Sequence, residues 1–164
     1  MTLDISKLVK GFSTQLNFEY VFKFSDSFSA SIGAIDASDF EVIGTVKKIG
    51  NRYALDLTYS GDMVFECHRC LNRVTLHFEK SVTRVLATVP EAEEEETILL
   101  ANDAVDLLPI LEEEVTLNLP LQILCSDTCL GLCPTCGKDL NTGMCSCDHT
   151  KIDPRLEALK HLLT

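Results

Sequence analysis

The chain has 164 residues, with 25 Asp and Glu against 14 Lys and Arg and a formal net charge of −11. A chain of this length buries a sufficient core without covalent staples, and no apolar run approaches the ~20 residues of a membrane-spanning helix. The charge excess sits in one stretch: residues 85–137 hold eleven acids and no Lys or Arg, so this part repels naked nucleic acid and any RNA contact must come from another face.

Met1–Lys10 is short, mixed and charged, without the apolar segment of a secretory signal, so a reducing cytoplasm is the expected localisation. Residues 3–10 predict a turn or two of helix leading to Gly11. Leu16, Phe18, Tyr20, Phe22 and Phe24 alternate with Asn17, Glu19, Val21 and Lys23 as a half-buried strand, which the polar stretch Ser25–Ser31 interrupts. Another strand is predicted near Phe40–Lys48. Gly50-Asn51 then reads as a hairpin turn into Arg52–Ser60, where Tyr53, Leu55, Leu57 and Tyr59 alternate. Gly61-Asp62 reads as the start of a separate strand, Met63–Glu66, that delivers Cys67, and the Cys67–Cys70 turn reverses the chain into Val74, Leu76 and Phe78. Glu91–Glu96 follows Pro90 without apolar periodicity and reads as a solvated acidic loop. Asp103–Asn118 predicts a helix, capped by Asp103 or starting instead at Pro109. Asp153, Pro154 and the leucines 156, 159, 162 and 163 predict a short amphipathic C-terminal helix.

All eight cysteines fall into short pairs: Cys67/Cys70, Cys125/Cys129, Cys133/Cys136 and Cys145/Cys147. Cys133-Pro134-Thr135-Cys136-Gly137 is a turn that aims backbone N–H groups at thiolate sulfur, and Gly137 permits the left-handed conformation such a turn needs. In a reducing compartment clustered cysteines are metal ligands or redox centres before they are disulfides. Neither Cys67 nor Cys133 opens a helix within a βαβ pattern, as a thioredoxin-type redox pair would. One or two structural zinc ions are expected. Short-loop closure favours a compact knuckle of Cys133, Cys136, Cys145 and Cys147, with Cys67, Cys70, Cys125 and Cys129 forming a long-range site. A rival grouping of Cys67/Cys70 with Cys133/Cys136 is open. His68 and His149 stand near the ligands and read as solvent-facing residues.

The expected fold is α+β, a mostly antiparallel sheet with a few helices and a zinc-knuckle C-terminal module. Residues 1–89 are expected to form an antiparallel β body with the Cys67/Cys70 hairpin tip, and residues 90–102 an acidic loop. Residues 103–164 would supply a helix, the zinc-binding tail and the C-terminal helix, packed as one domain with the body. There is no P-loop, Gly-x-Gly-x-x-Gly, Gly-x-Ser-x-Gly or His-Glu-x-x-His motif, and four-cysteine sites leave no open metal position, so no enzyme is expected.

The turn Glu66-Cys67-His68-Arg69-Cys70-Leu71 resembles the Cys-x-Arg-Cys-Leu element of the YceD family, bacterial and plastid proteins named for large-subunit ribosomal RNA accumulation. A second match runs through Leu119-Pro120, Cys125, Cys129, Gly131-Leu132-Cys133-Pro134, Cys136-Gly137, Leu140-Asn141, Cys145 and Cys147. Asp153-Pro154-Arg155-Leu156 through Leu159 is similar to the ending of many members. The three matches cover the C-terminal half in order, and residues 1–60 carry no motif. The resemblance implies a non-enzymatic factor supporting large-subunit rRNA accumulation and large ribosomal subunit assembly. A zinc-dependent protein-interaction module without a ribosomal role is the alternative.

Basic residues flank the turns. Lys47, Lys48 and Arg52 surround Gly50-Asn51, Arg69 and Arg73 border the first cysteine pair, and Lys138 lies in the tail. These six are the candidates for rRNA phosphate contacts. If the two hairpin tips share an edge, they form one basic patch opposite the acidic loop. The acidic segment 91–114 is the candidate docking surface for a basic ribosomal protein. No membrane and no small-molecule substrate is expected.

Overall fold

Alternating apolar residues become strands wherever one face can be buried, and the computed structural model describes residues 1–88 and 97–148. The chain opens with β1 (Thr2–Asp4) and a short helix α1 (Ser6–Val9), followed by β2 (Gln15–Phe22) and helix α2 (Asp26–Ser31). Then come β3 (Ala34–Ala37), β4 (Phe40–Ile49), the long strands β5 (Arg52–Glu66) and β6 (Arg73–Ala87), and short β7 (Thr97–Leu99). The last described elements are β8 (Ala104–Asp106) and helix α3 (Leu107–Leu117). The main sheet has the order β2-β4-β5-β6-β7, with β3 paired to the far end of β5. Its pairings are antiparallel except β6 with β7, and β1 and β8 form a separate antiparallel pair. The architecture is α+β with a mostly antiparallel sheet. No helix among the described residues is long and apolar enough to cross a membrane.

Strand β5 sets the layout. Tyr53, Leu55, Leu57, Tyr59, Met63 and Phe65 all point into the core, and Cys67 continues the same alternation past the strand end. The sequence expectation of two strands broken at Gly61-Asp62 is corrected: β5 runs straight through, with Gly61 opposite Phe78. Glycine is required there by packing, because a Cβ would lie 2.6 Å from the Phe40 ring. Phe40 in turn meets Phe24 edge-on, with ring centroids 4.9 Å apart, in a cluster that includes Phe22 and Phe28. Helix α3 covers the same face with Leu107, Ile110, Leu111 and Val115, and Arg84 of β6 pairs with Glu114 of α3.

One expectation is refined and another corrected. The polar stretch Ser25–Ser31 interrupts the strand pattern as expected and does so as α2, started by the Ser25 side chain, which accepts a hydrogen bond from the Phe28 N–H at 3.2 Å. Helix α3 begins at Leu107, not at Asp103 or Pro109. Asp106 is its N-cap, accepting from the Leu108 N–H at 3.1 Å, and Pro109 falls in the first turn. Asn102 and Asp103 instead adopt left-handed φ values of 55° and 59°, a turn that lets Ala104–Asp106 pair with β1. The acidic run Glu91–Glu96, His149 and the predicted C-terminal helix from Asp153 lie outside the described residues.

Candidate metal centres

The β5–β6 hairpin ends in a tight turn in which the Cys67 N–H donates to Asn72 O at 2.8 Å and the Leu71 N–H to Cys67 O at 3.0 Å. Leu71 takes a left-handed φ of 61°. This turn holds Cys67 and Cys70 side by side, and both are buried. The tail then crosses the turn. His68 N–H donates to Ile123 O at 2.8 Å, and the His68 ring nitrogen Nδ1 accepts from the Ile123 N–H at 3.4 Å. His68 therefore anchors the tail. Past Ile123 the chain brings Cys125 and Cys129 onto the pair, giving one inner cluster of four sulfurs mutually within 4.8 Å.

The second, outer cluster is Cys133, Cys136, Cys145 and Cys147, again with all sulfurs within 4.8 Å of one another. The Cys133 sulfur accepts from the backbone N–H groups of Thr135 and Cys136, each at 3.4 Å, and Gly137 takes a φ of 73°. The rival grouping of Cys67/Cys70 with Cys133/Cys136 is not what the sulfur positions give.

These distances test whether a metal fits. A tetrahedral ion with bonds of ~2.3 Å to sulfur separates its ligands by about 3.8 Å. In the inner cluster Cys67 and Cys129 are 3.8 Å apart, and Cys70 and Cys125 3.5 Å. A disulfide would need about 2.05 Å, and none of the eight cysteines is joined in one. Protonation states point the same way. Burial pushes the Cys67 thiol up, but the backbone N–H groups of Arg69, Cys125 and Cys70 outweigh it and bring it down to about 6. The Cys136 and Thr135 N–H groups bring Cys133 down to about 6 against opposing burial. The neighbouring sulfurs of Cys70 and Cys129, with burial, push Cys125 up to about 12, and those of Cys136 and Cys133 do the same to Cys147. Crowded thiols that cannot all ionise are a setting in which a dication displaces protons. The residues present can hold two ions, each in a closed shell of four sulfurs.

The two clusters are built onto each other. Arg69 donates from Nη1 to Cys129 O at 2.9 Å, and its own carbonyl accepts the Leu132 N–H at 3.0 Å. Gly131, with φ 74°, lies so close that a Cβ there would sit 3.0 Å from Arg69 O. In the outer loop Lys138 donates from Nζ to Met144 O at 2.9 Å. Asn72 and Asp139 join the hairpin turn to that loop through a 3.1 Å side-chain bond. Sequence reasoning missed Asn72, Asp139 and Asn141 as contributors, although Leu140-Asn141 stood inside the resembling run.

The six basic candidates do not come together. Lys47, Lys48 and Arg52 flank the start of β5, whereas Arg69, Arg73 and Lys138 lie at or beyond its other end. Fourteen steps at ~3.3 Å place the two tips about 45 Å apart along the strand. The shared edge and the single basic patch are therefore corrected. Thr97, the first described residue after the acidic run, pairs with Val85, Val85 with Ala54 and Ala54 with Lys47, one row across the sheet. Lys47 and Lys48 are exposed, with the Lys48 ammonium 5.9 Å from the Tyr53 ring centre. Of the acids in 91–114, Asp106 binds the Met1 amine at 2.9 Å and Glu114 is paired with Arg84. Glu113 is exposed on α3.

A family model described as "Large ribosomal RNA subunit accumulation protein YceD" matches residues 55–163. The chain is 32% identical over 129 residues to the uncharacterized protein YlbN of Bacillus subtilis (strain 168), spanning 77% of this chain and 75% of that one. It is also 32% identical over 111 residues to an uncharacterized protein of Mycobacterium tuberculosis (strain H37Rv), spanning 65% of this chain and 53%, about half, of that relative. No solved structure matches the chain. Eight paired cysteines and a family match over two-thirds of the sequence agree, and the chain belongs to the YceD family.

Proposed function

We propose that this protein is a non-enzymatic, zinc-stabilised factor that supports large-subunit rRNA accumulation and assembly of the large ribosomal subunit. Both clusters would hold structural Zn2+ in closed tetrathiolate shells, which leave no position for a substrate or a reactive water. The body 1–89, the acidic segment 90–102 and the tail 103–164 would act as one unit in the cytoplasm. The observation that carries this reading is the long β5–β6 hairpin with the metal ligands at one end and Lys47, Lys48 and Arg52 at the other. A rigid strand pair with chemically distinct ends is suited to bridging two components, and it has no feature of a reaction centre. The cationic tip is the part suited to rRNA phosphates. The acids of segment 91–114 suit a basic ribosomal protein.

The test is gradient fractionation of lysate with and without depletion of the protein, read by the ratio of large- to small-subunit rRNA. A selective fall in large-subunit rRNA is expected. Unchanged subunit ratios, with the protein confined to the top fractions, would reject the ribosomal role and leave a zinc-dependent interaction module. Charge reversal at Lys47 and Lys48 in the folded protein is expected to release it from rRNA-containing fractions, and unaltered association would remove RNA contact from that tip.

A further inference from the structure

Asn141 belongs to the loop between Cys136 and Cys145, inside the outer cluster, yet its side chain reaches the inner one. Its Nδ2 donates to the Cys129 sulfur at 3.4 Å, while its Oδ1 accepts the Leu130 N–H at 2.8 Å. The same amide nitrogen contacts Asp139 Oδ1 at 2.7 Å, and the Asn141 backbone N–H donates to that oxygen at 2.9 Å. The other Asp139 oxygen takes the bond from Asn72, two residues after Cys70. Asn72, Asp139, Asn141 and the Cys129 sulfur thus form a continuous polar chain around the inner cluster, with its middle members drawn from the outer loop.

From this geometry we infer that Asn141 is a positioning residue that couples the two metal centres, so that an ion in the outer one tightens the hold on an ion in the inner one. The inference rests on the proposed metal binding. An N–H bond to a metal-bound thiolate lowers the electron density on sulfur and fixes its direction, and such outer-shell partners change metal affinity by about 10–100-fold. Asn141 supplies that bond only while its loop is folded, and the loop is closed at both ends by outer ligands. Leu140 N–H to Gly131 O at 2.9 Å, and Cys133 N–H to Lys138 O at 2.8 Å, seat the loop, but the run from Lys138 to Met144 has no strand or helix of its own. Removing the outer ion loosens the run and withdraws the donor from Cys129. Coupling of this kind is reciprocal, so emptying the inner centre also weakens the outer.

The experiment uses the full chain loaded with zinc, with release to a chromogenic chelator followed in time. Two ions per chain are expected, and the release phase lost in Cys145→Ser is assigned to the outer centre. Asn141→Ala is expected to speed release from the inner centre at least tenfold and, because the coupling is reciprocal, to weaken the outer centre while the inner ion is bound. Asn141→Asp, which keeps the acceptor for Leu130 but loses the donor to sulfur, is expected to act in the same direction. Cys145→Ser should speed inner release in the wild-type background and add little in the Asn141→Ala background. With 113Cd in place of zinc, Asn141→Ala should shift the inner resonance and leave the outer where it was. Inner release unaffected by Asn141→Ala, or a Cys145→Ser effect equal in both backgrounds, overturns the coupling while two bound ions uphold the metal reading. A wild-type chain that binds no zinc or cadmium overturns both.

Discussion

Cys129→Ser removes one of four sulfurs from the inner cluster, and with it the clamp between the hairpin turn and the tail. The cross-link spans from Cys67 to Cys129, a loop of about 60 residues. The chain-entropy relation for cross-links gives about 14 cal/mol/K for a loop of that length, or about 4 kcal/mol at 25 °C. For a chain of this size, about 3 °C of melting temperature corresponds to each kcal/mol, so a fall of about 12 °C is expected. The outer cluster closes only about 15 residues, worth about 3 kcal/mol, and its loss is confined to the tail. Thermal unfolding followed by circular dichroism at the sheet wavelength, with zinc-loaded wild type, Cys129→Ser and Cys145→Ser, separates the two. Chelation of the wild type should reproduce the Cys129→Ser curve. A Cys129→Ser melting temperature within about 3 °C of wild type would refute the argument, because the tail would then be held on the turn by its backbone bonds alone.

Two other substitutions probe the body. Gly44→Ala places a Cβ 2.4 Å from the Phe18 ring and 2.7 Å from the Asp56 carbonyl; the latter is backbone and cannot swing away, so urea unfolding should show about 1–3 kcal/mol of destabilisation from overpacking. The Met1 amine, followed by the Leu108 N–H, holds the Asp106 carboxyl below its ordinary value of 3.8. A lowered carboxylate stabilises the fold above its unfolded value, and that contribution is lost as pH falls through the folded value. Asp106→Asn keeps the helix cap but loses the ion pair. With Asp106 half exposed, solvent screening limits the expected loss to less than about 1 kcal/mol at pH 7, and the gap from wild type should shrink as pH falls from 3.8 through the lowered folded value. A gap that does not shrink as pH falls below 3.8 in urea titrations would place the effect in packing instead.

The strands were legible in the sequence because each buries one face, and period-two alternation is a signal that local context rarely overrides. Tyr53, Leu55, Leu57 and Tyr59 show it plainly. The misreadings share a cause. At Gly61-Asp62 a glycine that normally punctuates a strand is there to admit the Phe40 ring, which arrives from β4. At Asp103 the capping pattern was correct in kind but three residues early, because β1, a hundred residues away, claims Ala104–Asp106. Ser25 is a sound N-cap, but α2 has too few residues to show apolar periodicity. The cysteine pairs were legible from spacing, and loop-closure entropy pointed to the grouping now seen in the sulfur positions. The polar chain through Asn72, Asp139 and Asn141 was not, since it exists only once residues from two distant loops meet.

Charge near a cysteine pair invites an RNA assignment, and Arg69 tests whether that inference is sound. A dication held by four thiolates leaves a net charge of −2, so a cation beside it has an electrostatic role before any nucleic acid arrives. Arg69 sits between two inner ligands, and its Nη1 is held by Cys129 O while its carbonyl holds Leu132. Its N–H also donates to the Cys67 sulfur at 3.5 Å, a backbone bond that substitution of the side chain preserves. Arg69→Ala therefore removes the Cys129 clasp and the compensating charge without touching the turn itself. The expected result is faster release of the inner ion, by about tenfold on the outer-shell scale, with rRNA association at saturating zinc unchanged. Charge reversal at Lys47 and Lys48, about 45 Å away along β5, should do the reverse: metal retention as in wild type and rRNA association lost. If Arg69→Ala abolishes rRNA association while the protein keeps both ions, the cationic residues at the metal end contact RNA directly, and the division of labour between the two ends of the hairpin is wrong.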